Sequence, residues 1–156
     1  MLHGLVENRV SFVVIGGVAA NLHGSARITN DLDICYDPTD ENRQRLTGVL
    51  ASWQAYLRGV EPGLPFTMDA RMLRDTPVMT LIGTEGWIDV MDRVAGVGEF
   101  DKVLAASVTG EWDSLRFRII GLDALIAAKR AAARKKDHEA LLELQALREV
   151  RRKKAP

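Results

Sequence analysis

The chain has 156 residues, 47% of them hydrophobic, enough to bury one core without disulfide staples, and it reads as a single domain over residues 1–156. Its apolar runs contain Gly or Asn and fall short of the roughly 20 residues that cross a bilayer, no basic-then-apolar leader opens it, and the single Cys35 has no internal partner, which points to a cytoplasmic protein without membrane contact. Basic and acidic side chains balance at 21 each, yet residues 127–156 hold ten basic against four acidic, leaving an acidic body with a basic tail.

The first predicted element is a buried strand, "RVSFVVIGG" (residues 9–17), β-branched and aromatic, running into a tight turn at Gly16 and Gly17. "VAANLHG" then forms a short helix stopped by Gly24. "SARITNDLDICYD" is the next strand, broken by Pro38. Thr39 caps a following helix, whose Leu46, Val49, Leu50 and Trp53 recur at helical spacing on the face that packs on the sheet. Gly59, Pro62, Gly63 and Pro65 mark a loop. "PVMTLIG" and "GWIDVMD" pair as a hairpin across Thr84 and Glu85, residues 99–106 form a short helix, and "LRFRII" (115–120) alternates as a strand. Leu122–Leu147 makes two helices meeting near Lys136 and Asp137, with Asp137 capping the second. The order predicts an α/β or α+β class: a mixed sheet flanked by helices, with residues 122–156 as a basic C-terminal helical segment.

"ITNDLDICYD" is the chemically loaded stretch. Strand alternation puts Asp31 and Asp33 on one face, with Leu32 and Ile34 on the other. Neighbouring carboxylates raise each other's pKa, so the pair makes sense around a positive charge, a divalent cation first. Oxygen-only ligands favour Mg²⁺ or Mn²⁺ over zinc, and a single cysteine with three unspaced histidines leaves no zinc motif. Gly16 and Gly17 lack Cβ atoms, so their N–H groups can approach a phosphate. Lys129 lies four residues after Leu125 and three after Ile126, on the apolar face of its helix, where a cation needs a charged partner. Each feature has a plainer reading as well: surface acids on a strand, a tight turn, a snorkelling lysine.

Order and spacing together sharpen the picture. A strand ending in "IGG", a short helix, "DLDI" on the next strand and Asp89 within a later "WIDVM" resemble the nucleotidyltransferases of the DNA polymerase β superfamily, and more narrowly the minimal prokaryotic AbiEii-like toxins. The resemblance covers residues 9–37, 86–92 and 119–144. It implies the nucleotidyltransferase fold and transfer of a nucleoside monophosphate from an NTP to a hydroxyl. By the same resemblance Asp31, Asp33 and Asp89 would be catalytic metal ligands for Mg²⁺, and Lys129 would face the nucleotide phosphates. Many members carry serine where Gly17 stands, and Ser25, Arg27 or Thr29 would then supply that contact. The implied acceptor is RNA, a tRNA 3′ end first, with a protein hydroxyl second. A toxin role with an antitoxin partner belongs to the same implication. The alternative of a different class is an inactive binding module that keeps the fold.

Overall fold

In the computed structural model, which describes residues 1–61, 63–133 and 137–154, the chain opens with a helix that its hydropathy does not announce: α1 (Leu2–Glu7) buries Leu5 alone. β1 (Phe12–Ile15) follows with all four residues buried, then α2 (Gly16–Leu22), β2 (Asp31–Tyr36) and α3 (Asp40–Ser52). Next come β3 (Tyr56–Leu57), α4 (Ala70–Asp75), and the hairpin of β4 (Val78–Gly83) and β5 (Gly86–Met91). A two-stranded ribbon, β6 (Arg93–Val94) and β7 (Gly98–Glu99), leads to α5 (Phe100–Ala105). A second hairpin, β8 (Ser107–Trp112) and β9 (Leu115–Ile120), precedes α6 (Leu122–Ala132) and α7 (Asp137–Lys154).

The main sheet has seven strands in the order β3-β4-β5-β2-β1-β9-β8. It is mixed: β1 runs antiparallel to β2 but parallel to β9, and β2 runs parallel to β5. Leu32 and Ile34 of β2, Met79 and Leu81 of β4, and Ile88 and Val90 of β5 are buried. Period-two alternation therefore turns Asp31, Asp33, Thr80, Trp87 and Asp89 to the opposite face. One face of this half of the sheet is core, and the other is the floor of a cleft. Removing an aliphatic residue such as Ile34 or Ile88 to Ala would cost about 2–5 kcal/mol.

The mixed sheet flanked by helices and ended by α6 and α7 is the predicted class. The hairpin and the β1–α2–β2 opening also follow the expectation. The strand predicted over residues 25–37 is shorter, starting at Asp31, because residues 25–30 are tied elsewhere: the Ala26 N–H donates to Glu143 Oε1 at 3.1 Å and Arg27 pairs with Glu139 at 3.3 Å. The helix expected from Val18 begins at Gly16. Thr39 is the N-cap of α3 but makes no side-chain cap bond; instead Asp37 Oδ1 accepts from the Thr39 N–H at 3.1 Å. Buried Asn42 donates to the Ser11 and Asp37 carbonyls and accepts from the Ser11 N–H, lashing α3 to the entrance of β1. Among the described residues no helix is long and apolar enough to cross a membrane.

Candidate active site

Parallel pairing of β2 and β5 sets Asp33 directly beside Asp89, and antiparallel pairing of β1 and β2 sets Ile15 beside Asp33. The site thus lies where β1 turns into α2. Gly16 takes φ +63 there, and a Cβ on it would overlap the Asp33 carboxylate. Both facts require glycine. A Cβ on Gly17 would likewise overlap the side chain of Thr29. The two glycines make room for the site's own side chains, a role that the spacing argument did not anticipate.

Carboxylate oxygens of Asp31, Asp33 and Asp89 all lie within 4.8 Å of one another. Asp33 is pushed up to about 6, first by burial and then by repulsion from Asp31 and Asp89; the Gly17 N–H and the Lys129 charge pull partly the other way. Three hard oxygen donors that repel one another are the donor set a divalent cation takes, and on this chemistry the residues fit one. Thr29 Oγ1 donates to Asp31 Oδ1 at 3.1 Å. Arg58, just past β3, donates through Nη2 to Asp89 Oδ1 at 3.1 Å, its Nη1 stands 3.9 Å from Asp31 Oδ2, and its guanidinium lies 5.2 Å from the Trp87 ring centre.

These groups line a cleft of about 660 Å³ that also takes in Gly16, Gly17, Ser25, Arg27, Ile28, Lys129 and Asp137. Every residue that the sequence singled out for the site therefore borders one cavity. Ser25 is buried and accepts from the Arg27 N–H at 3.3 Å, while Arg27 itself is drawn to Glu139. Lys129 is half-buried and donates to Asp137 Oδ1 at 2.8 Å across the α6–α7 junction. Asp137, expected only as a cap, is buried and engaged with this lysine. His23 is buried at the end of α2, bonded to the Ile120 carbonyl at 2.7 Å and reached by Arg151 at 3.3 Å; burial holds its pKa down. It packs at the end of α2.

The sequence family described as "Nucleotidyl transferase of unknown function (DUF2204)" matches residues 1–154. The chain belongs to that family. It is a nucleotidyltransferase and so draws on NTP substrates; enzymes of this kind generally use divalent metals. No curated protein matches the chain. Solved structures share the fold at low identity. The lincosamide antibiotic adenylyltransferase LnuA, bound to lincomycin, is 16% identical with a TM-score of 0.61, covering 94% of this chain and 92% of that one. The antibiotic-resistance factor ANT(2'')-Ia is 13% identical with a TM-score of 0.60 over 98% and 88%. A protein from Thermotoga maritima described as a nucleotidyltransferase is 16% identical with a TM-score of 0.55 over 93% and 88%.

The nucleotidyltransferase cleft holds two residues that sequence reasoning did not assign. Arg58 sits in "YLRGV", with no periodicity to place it, and only the need of three carboxylates for a counter-charge hints that some cation must be near. Trp87 was read as a strand residue; its position beside Asp31 follows from the β2–β5 register. Arg134, Lys135 and Lys136, the centre of the basic segment, lie outside the described residues.

Proposed function

We propose that residues 1–156 act as one nucleotidyltransferase domain that moves a nucleoside monophosphate from an NTP to a hydroxyl of a small molecule, with release of pyrophosphate. The observation that carries this reading is the Asp33–Asp89 register, which faces three carboxylates onto the Gly16-Gly17 turn. Asp31, Asp33 and Asp89 would hold Mg²⁺, with Mn²⁺ as the alternative, and the ion would offset the charge of the triphosphate. Gly16 and Gly17 bring the backbone of the turn close to the phosphates, with the Gly17 N–H engaged by Asp33, while Thr29, Ser25 and Arg27 border them and Lys129 approaches them from α6. Asp89 receives the proton of the attacking hydroxyl.

The charge of the cleft favours a small acceptor. Among the described lining residues the cations are Arg27, Arg58 and Lys129, and each is already matched by a carboxylate, those of Glu139, Asp89 and Asp137. With the charge of the triphosphate met by the metal ion, these three paired cations leave little for a second polyanion, an RNA backbone, to hold. Ile28, 93% exposed, and half-exposed Trp87 add apolar contact of the kind small-molecule clefts use. The two antibiotic-related proteins sharing this fold are in keeping with that choice.

RNA is the second reading, because the basic surplus of residues 127–156 remains. In α7 much of it is spent internally: Arg148 pairs with Asp123, Arg152 with Glu149, and Arg151 donates to the His23 carbonyl. The AbiEii-like toxin role, with tRNA as acceptor and an antitoxin partner, goes with this second reading. The test is incubation with each α-labelled NTP and Mg²⁺ alongside a small-metabolite extract, total RNA or cell protein. Label in the small-molecule fraction is the expected result; label on RNA or on protein hands the lead to that acceptor, and no pyrophosphate release from any mixture overturns the proposal.

A further inference from the structure

We propose that Arg58 is a built-in counter-ion for the carboxylate triad, which a divalent cation must displace to bind. The inference rests on the metal-centre reading above and adds to it a competitor supplied by the chain. Arg58 reaches both outer members of the triad at once: its Nη2 is bonded to both oxygens of Asp89, at 3.1 and 3.4 Å, while its Nη1 faces Asp31. Both carboxylates belong to the cluster a cation would use. A guanidinium and a metal ion carry the same sign, so they repel each other and compete for the acceptor sites of these carboxylates.

The placement of Arg58 suits displacement. It follows β3, a two-residue strand at the edge of the sheet, and precedes Gly59, whose φ is +82. Its guanidinium is backed by the Trp87 indole, a contact that holds a cation without neutralising it. The side chain remains partly exposed, at 28%, so leaving the carboxylates returns it to solvent at modest cost. Without metal, Arg58 offsets part of the repulsion among Asp31, Asp33 and Asp89. With metal, that role passes to the ion. The enzyme should therefore bind a bare cation weakly and take it up more readily together with the anionic NTP.

Direct Mn²⁺ binding tests this, read from free-ion electron resonance on the intact chain without nucleotide. Arg58→Gln should bind Mn²⁺ about fivefold more tightly than wild type, and Arg58→Lys, which keeps the charge, should stay near wild type. Thermal melting supplies the second reading. Arg58→Gln should melt lower than wild type in chelator, and the gap should close at saturating Mn²⁺, because the ion replaces the lost charge. If wild type binds Mn²⁺ through the aspartates but Arg58→Gln binds it equally or more weakly, or the melting gap persists at saturation, Arg58 is a structural residue and the proposal is overturned alone. If neither wild type nor Arg58→Gln holds Mn²⁺ at millimolar concentration, the metal-centre reading falls and this proposal falls with it.

Discussion

Arg58 and Lys129 both bring positive charge to the same cleft, one from the edge of the sheet and one from α6, but they are held differently. Arg58 is partly exposed and leans on carboxylates that the chemistry needs. Lys129 is 17% exposed and its partner Asp137 only 6%, so their bond is shielded from water and joins α6 to α7. A shielded pair is expensive to break, whereas a pair at the mouth of a cleft is exchangeable. The difference teaches that a cation near an acidic site is not one kind of object. Its accessibility, and what else its partner must do, decide whether it is a fastening or a placeholder.

The strongest way to break this comparison is to remove the triad acid that neither cation is bonded to. Asp33→Asn should lower nucleotidyl transfer by about 10³-fold or more, a loss of the size seen when one preorganised electrostatic partner is deleted. Its effect on the metal-free fold has the opposite sign. Asp33 titrates at about 6 in the fold against 3.8 ordinarily, so between those values the folded chain keeps a proton that the unfolded chain has lost, and stability falls as pH rises. Asp33→Asn should flatten that slope and melt no lower than wild type at pH 7 in chelator; melting curves from pH 4 to 7 check it.

Lys129→Ala sharpens the contrast by acting on the shielded pair. It should cost about 2 kcal/mol of stability, since a buried acid loses a charged hydrogen-bond donor, and should weaken NTP binding as well. A loss of stability with unchanged NTP affinity would return Lys129 to a purely fastening role. Denaturant unfolding and calorimetry on one preparation separate the two.

The smallest expected effect is at His23, which fastens α2 to the end of β9 and to Arg151. Its pKa is lowered from 6.5, so above that value folded and unfolded chains are both neutral and stability is full. As pH falls below it, the unfolded chain takes up protons first and the fold loses stability. His23→Gln should remove that part of the acid sensitivity while leaving the Asp33 slope in place.

How much of this was legible before the fold was known depended on locality. Asp31 and Asp33 are neighbours in sequence and the Gly16-Gly17 turn lies one short helix before them, and alternation alone puts both acids on one face. Asp89 was readable as a strand residue, but its place beside Asp33 depends on a parallel pairing between distant segments. Arg58 was not readable, because β3 is two residues long and meets the site only through β4. The N-terminal helix escaped for a similar reason: a six-residue helix with one buried side chain carries no periodic signal. Asp137 was visible as a helix-start acid, and only the packing of α6 on α7 reveals that it holds Lys129.

The central claim, that Asp31, Asp33 and Asp89 form the metal centre of nucleotidyl transfer, is tested most directly by calorimetric titration of wild type and Asp33→Asn with a non-hydrolysable NTP analogue, with and without Mg²⁺. The account predicts saturable binding by wild type that needs Mg²⁺ and that the variant loses while remaining folded. Equal Mg²⁺-dependent affinity in the two proteins would contradict it.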